Sequence, residues 1–141
     1  MKPPDEVKLE LVKQWVSKAE SDLLVAEHLL SHNPPLYIDA IGFHAQQAAE
    51  KFLKAYPVKY QVEFPKTHNL GELLDLIGKA NDPLADSLRG ITALNPYGVD
   101  IRYPGDFPQM SVKDAEIAVD LAKKVQAVIM TSLQDYLNEG S

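Results

Sequence analysis

The chain of 141 residues contains no cysteine, one tryptophan and only two arginines. The missing cysteines exclude disulfide frameworks, thiolate metal sites and cysteine nucleophiles, so any nucleophile must be oxygen or nitrogen. Long apolar runs are absent too. None approaches the roughly 20 residues needed to span a bilayer, and the start, Met1-Lys2-Pro3-Pro4-Asp5-Glu6, lacks the apolar core of a signal peptide. A cytoplasmic location with no membrane contact is the expectation. Excess positive charge is also lacking: 20 acids face 14 bases, a formal charge of -6. This opposes non-specific adhesion to nucleic acid, which draws on phosphate neutralisation, so an RNA ligand needs a local basic patch. Arginine suits forked recognition of phosphate or carboxylate, and with only Arg89 and Arg102 present each needs a reason.

What is present is a 45% hydrophobic composition, enough for the core of one domain spanning residues 1–141. No repeat or linker divides it. Over residues 7–31 the apolar positions Leu11, Trp15, Ala19, Ala26 and Leu29 recur at helical spacing, and Pro34-Pro35 stops the run. A second helix is expected over 36–56, with Ile41, Ala45, Ala48, Phe52 and Ala55 on one face and Pro57 at its end. Residues 58–66 read as loop. Asn69, with Glu72 three residues on, marks a capping box for a short helix reaching about residue 80; a fourth helix is expected over 84–94. Ser111 to Asp114 cap a last helix of about 27 residues, roughly 40 Å long, with Ala115, Ala118, Leu121, Ala122, Val125, Val128, Ile129 and Leu133 as its stripe. The expected class is all-α, a helical bundle of about five helices.

Chemistry is sought where polar residues interrupt this pattern. Asp22 falls on the first stripe, where an aspartate is costly unless paired, and Lys51 and Arg102 are the partners to test. A structural ion pair and a catalytic acid both remain open. On the second helix, His44, Gln47 and Lys51 share one side, and Gln46, Glu50 and Lys54 the adjacent one, among alanines that allow close approach. This seam reads either as surface i,i+4 pairs or as an interface made by Gln46, Gln47, Glu50 and Lys54. The third interruption runs from Asn95 to Asp106, where Tyr97, Arg102 and Tyr103 lie in a proline- and glycine-rich segment. His28 and His32 have a metal-like i,i+4 spacing but no third ligand, so no metal site is expected.

Trp15, Ala19, Asp22 and Leu23, then Gln46-Gln47-Ala48-Ala49-Glu50-Lys51 with Leu53 and Lys54, then Lys66-Thr67-His68-Asn69-Leu70, then Arg102-Tyr103-Pro104-Gly105, occur in this order. This ordered set resembles the HEPN domain, the higher eukaryotes and prokaryotes nucleotide-binding domain, over residues 12–127. The resemblance implies a five-helix, up-and-down bundle that dimerises and a minimal nucleotidyltransferase encoded beside it, often as a toxin–antitoxin pair. No cofactor is expected. Active members resemble metal-independent ribonucleases with an arginine followed, after four to six residues, by a histidine. Arg102 matches the arginine, yet no histidine occurs from Tyr103 through Met110, and no tyrosine matches the family's adenylylation position beyond that motif. His44 or His68 is left to supply the proton-transfer group.

Three functions follow as expectations. The first is a dimeric module binding a nucleotide or RNA near Arg102, with Tyr103, Tyr97, Lys51 and Asp22 as further ligand-binding candidates. The second is an active ribonuclease toxin with a substituted proton-transfer residue. The third is a structural helical dimer without ligand, its arginine tied up in salt bridges.

Overall fold

Prolines, alanines and caps divide the chain into five α-helices with no strand among the described residues, which in this computed structural model are 5–99, 103–105 and 109–139. In order they are α1 (Asp5–Ser31), α2 (Ile38–Lys59), α3 (Leu70–Gly78), α4 (Asp82–Ser87) and α5 (Val112–Glu139). Two 3-10 segments, Pro34–Leu36 and Arg89–Tyr97, join them. The short proline-bearing connection folds α1 back along α2 as a helical hairpin. α5 packs on α2 as well, as do α3 and the 3-10 segment Arg89–Tyr97, while α4 packs on α3 and the segment Pro34–Leu36 on α1. α2 is therefore the central helix.

Its alanines explain that position. Ala45, Ala48, Ala49 and Ala55 are fully buried and let neighbouring backbones approach, while Phe52 and Leu53 fill the space between. On α1 the buried stripe is Val12, Val16, Ala19, Leu23 and Ala26, which shares Ala19 and Ala26 with the expected one and has Val12 and Val16 in place of Leu11 and Trp15. Leu11 is exposed and Trp15 half-buried, so Asp22 sits at the edge of the packed face. On α5 the stripe runs from Ala115 to Leu133, with Leu121 and Val128 at its margin.

Three local expectations are corrected. α2 continues two residues past Pro57, to Lys59, because near a helix end a missing N–H costs only one ladder bond; the Pro57 carbonyl then accepts from Tyr60 and Val62 N–H at 3.1 and 2.9 Å. The fourth helix is short, and after Leu88 the chain tightens to 3-10 geometry through Gly90, Ile91, Thr92 and Pro96, residues poor at sustaining an α-helix. At α3, Asn69 Oδ1 accepts from Glu72 N–H at 3.2 Å, but Glu72 does not close the box, because Asn69 N–H donates to the Thr67 hydroxyl at 3.0 Å. At α5 the reciprocal cap does form: Ser111 Oγ accepts from Asp114 N–H, and Asp114 Oδ2 accepts from Ser111 N–H.

Candidate functional site

Because α2 is enclosed, its polar side chains must find partners inside the chain. On the side facing α1, Asp22 accepts from both Lys51 Nζ and His44 Nδ1, the latter at 2.9 Å. These three groups are mostly covered, with side chains 14, 23 and 30% exposed for Asp22, Lys51 and His44. One carboxylate thus holds two cation-capable groups at the edge of the α1–α2 seam. Asp22→Ala leaves both unpaired and is expected to cost about 1–3 kcal/mol, between exposed and fully buried pairs. A thermal midpoint equal to that of the unaltered chain would refute the pairing.

On the neighbouring side Glu50 is the centre. It accepts from Lys54 Nζ at 3.0 Å, from His68 Nδ1 at 2.9 Å and from Gln46 Nε2 at 3.2 Å. Burial alone would raise its carboxyl, but these hydrogen bonds outweigh it and hold Glu50 below the usual carboxylate range. Lys54 also lies over the Trp15 and Phe64 rings, at 5.6 and 5.8 Å from their centres. Gln46 Nε2 donates in addition to the His68 carbonyl at 3.2 Å, and Gln46 Oε1 accepts from Gln47 at 2.7 Å. The network binds the 60–69 loop to α2 through two of its residues, Phe64 and His68.

Both imidazoles therefore share one arrangement, in which Nδ1 donates to a carboxylate and Nε2 has no hydrogen-bond partner among the described residues. His68 is the more open, with a side chain 75% exposed. The expected interface residues behave differently. Gln46, Glu50 and Lys54 are buried by their own chain, so the Glu50–Lys54 pair is no surface pair, and only Gln47 of that set is half-buried.

Arg102, on which the ligand and catalytic expectations centre, lies outside the described residues. Of its companions, Tyr103 is exposed, whereas Tyr97 is half-buried and lies against Gly42 of α2. Gly98, four residues before Arg102, packs directly on the seam, since a Cβ there would come within 2.8 Å of Gln46 Cδ. Arg89 pairs with Asp75 at 2.7 Å on the surface. His28 and His32 stack at 4.2 Å and the latter bonds to the His28 carbonyl; no group of three metal-ligating side chains occurs among the described residues.

Two features escaped the sequence reading. Tyr37, just before α2, joins Leu36, Asp39, Tyr103, Pro104, Gln109 and Met110 around an open groove of about 520 Å³. Gly42 lets Met110 and Tyr97 close against α2, for a Cβ there would meet Met110 Cε at 2.9 Å. Tyr37 follows two prolines and precedes an apolar run, so in sequence it reads as ordinary helix-start packing. Gly98 carried a faint signal in Asn95-Pro96-Tyr97-Gly98, whose composition announces a turn but not its neighbour.

The sequence profile of the HEPN domain matches residues 12–132. Among solved structures, ST0689, an archaeal HEPN homologue, is similar with a TM-score of 0.68 and 22% identity over 86% of this chain and 97% of that one. TT1696 from Thermus thermophilus has a TM-score of 0.66 and 26% identity over 85% of this chain and 96% of that one. No curated protein matches the sequence. No described helix is long and apolar enough to cross a membrane.

Proposed function

Because the chain belongs to the HEPN domain family, we propose that it is a dimeric module that binds a nucleotide or RNA through its 97–105 segment, beside a separate minimal nucleotidyltransferase. The family often pairs with nucleotidyltransferases, and a toxin–antitoxin pair is the setting this reading carries. The observation supporting the site is the close packing of Gly98, four residues before Arg102 in sequence, on Gln46 of the polar seam of α2. Arg102 supplies the charge for a phosphate in a chain that is otherwise acidic. Purified protein is expected to bind nucleotides or short RNA weakly, to lose that binding in Arg102→Ala, and to scatter light as about twice its chain mass. Binding that survives Arg102→Ala would overturn the assignment.

A second reading, a metal-independent ribonuclease, is favoured by the two imidazoles held through Nδ1. An Nε2 so positioned can take a proton from a ribose hydroxyl near neutral pH, a task for which an ordinary tyrosine, with a pKa of about 10, is poorly suited. Cleavage that is slow or undetectable without metal is expected under the first reading. Robust cleavage lost in Arg102→Ala and in either His44→Ala or His68→Ala would establish the second.

A further inference from the structure

The groove at the start of α2 is not accounted for by folding. Leu36, Tyr37 and Tyr103 line it while remaining 70, 40 and 64% exposed, an arrangement that leaves two phenol rings and a leucine in water. Its floor, by contrast, is built. Met110 is only 7% exposed, and it can settle there because residue 42 has no side chain. Pro104 and Gly105 also line the groove, and Gly105 has φ +90°, a conformation an L side chain rarely adopts. The groove's volume, about 520 Å³, lies within the range of small-ligand pockets.

We propose that this groove is a subsite for the base of a nucleoside phosphate, which stacks on Tyr37 and Tyr103 above Met110. A flat π-face matches exposed phenol rings regardless of base identity, and the Gln109 amide offers both a donor and an acceptor to a base edge. The inference rests on the nucleotide reading above, in which Arg102 takes the phosphate. To Tyr103, already a candidate in that reading, it adds Tyr37, Gln109 and Met110.

The test is calorimetric titration of the full chain with AMP, GMP, ribose 5-phosphate and a short oligoadenylate, repeated in Tyr37→Ala, Tyr103→Ala and Arg102→Ala. Both tyrosines are exposed, and an unchanged thermal midpoint verifies that their variants fold. AMP and GMP should bind more tightly than ribose 5-phosphate. Either tyrosine-to-alanine change should weaken them about 5- to 150-fold, the usual range for losing one base–aromatic stack, and Tyr→Phe should restore most of it. The same tyrosine dependence with oligoadenylate supports the subsite and shows that RNA can deliver the base. Nucleotide affinity unchanged in both alanine variants, or ribose 5-phosphate binding as well as AMP, overturns the subsite. If Arg102→Ala still abolishes binding in that case, the proposed function stands without it. Absence of any binding overturns both. A change in oligomeric mass in the tyrosine variants, with nucleotide affinity unaltered, would reassign the groove to protein contact.

Discussion

Glu50→Ala is expected to destabilise the fold by about 3–5 kcal/mol, because it strands a buried ammonium rather than merely removing an attraction. Lys54 is 7% exposed and its nitrogen has no other carboxylate at hydrogen-bonding distance among the described residues. The cation–π contacts with Trp15 and Phe64 offset part of that loss, and the His68 and Gln46 N–H groups lose an acceptor as well. For a chain of this length the change corresponds to a fall in Tm of roughly 10–15 °C. The pH dependence has a definite sign. Glu50's carboxyl is held lower in the folded chain than in the unfolded one, so its contribution is present above the unfolded value and lost as pH falls through the folded value. Unfolding scans should therefore show the wild type losing stability below about pH 4.5 more steeply than Glu50→Gln. A double change, Glu50→Gln with Lys54→Met, should recover part of the loss, since removing both charges is less harmful than removing one. A Tm within two or three degrees of wild type in Glu50→Ala would show that the pair is solvated.

The all-α class was legible from periodicity because long amphipathic helices repeat their signal many times. α5 illustrates this: its seven-residue buried stripe averages out any single misleading position. α1 shows the limit. Its expected stripe, Leu11 and Trp15 with Ala19, lies beside the real one, Val12 and Val16 with Ala19, and both satisfy three- and four-residue spacing. Only packing against α2 selects between them. The short elements were less legible for a different reason, since Pro57 and Gly90 act on one or two hydrogen bonds whose cost depends on where the helix would otherwise end.

For the site, sequence identified the groups but not their enclosure. Spacing put Gln46, Glu50 and Lys54 on one helical side, as the structure has them, yet a helix covered on several sides cannot be recognised from its own sequence when the covering residues are distant. The Asp22–Lys51 partnership was inferable because a carboxylate near a packed face requires a cation. Its second partner, His44, was not inferable as such, since an imidazole can be satisfied in many ways. His68 was similar: its place beside the Asn69 cap accounted for it locally, whereas its contact with Glu50 links positions 18 residues apart.

The same enclosure changes how association must be tested. The alanines beside the seam invite the substitution Ala48→Glu or Ala49→Glu to weaken a dimer, but both residues are 0% exposed within their own chain. A glutamate at 48 has to place a longer side chain and a charge in the packed core that includes Ala45 and Phe52, and the cations on its side of α2, His44 and Lys51, already serve Asp22. Overpacking costs typically about 1–3 kcal/mol and an unpaired buried charge several more, a sum comparable with the whole stability of a small domain. Ala48→Glu is therefore expected to yield unfolded or insoluble chain, whereas Ala127→Glu, on the exposed side of α5, should leave helical content and Tm nearly unchanged. Circular dichroism separates the two outcomes. If Ala48→Glu instead remained fully helical with a near-normal Tm and lost only its oligomeric mass in light scattering, the alanine seam would be a subunit contact and the central position of α2 would have to be abandoned.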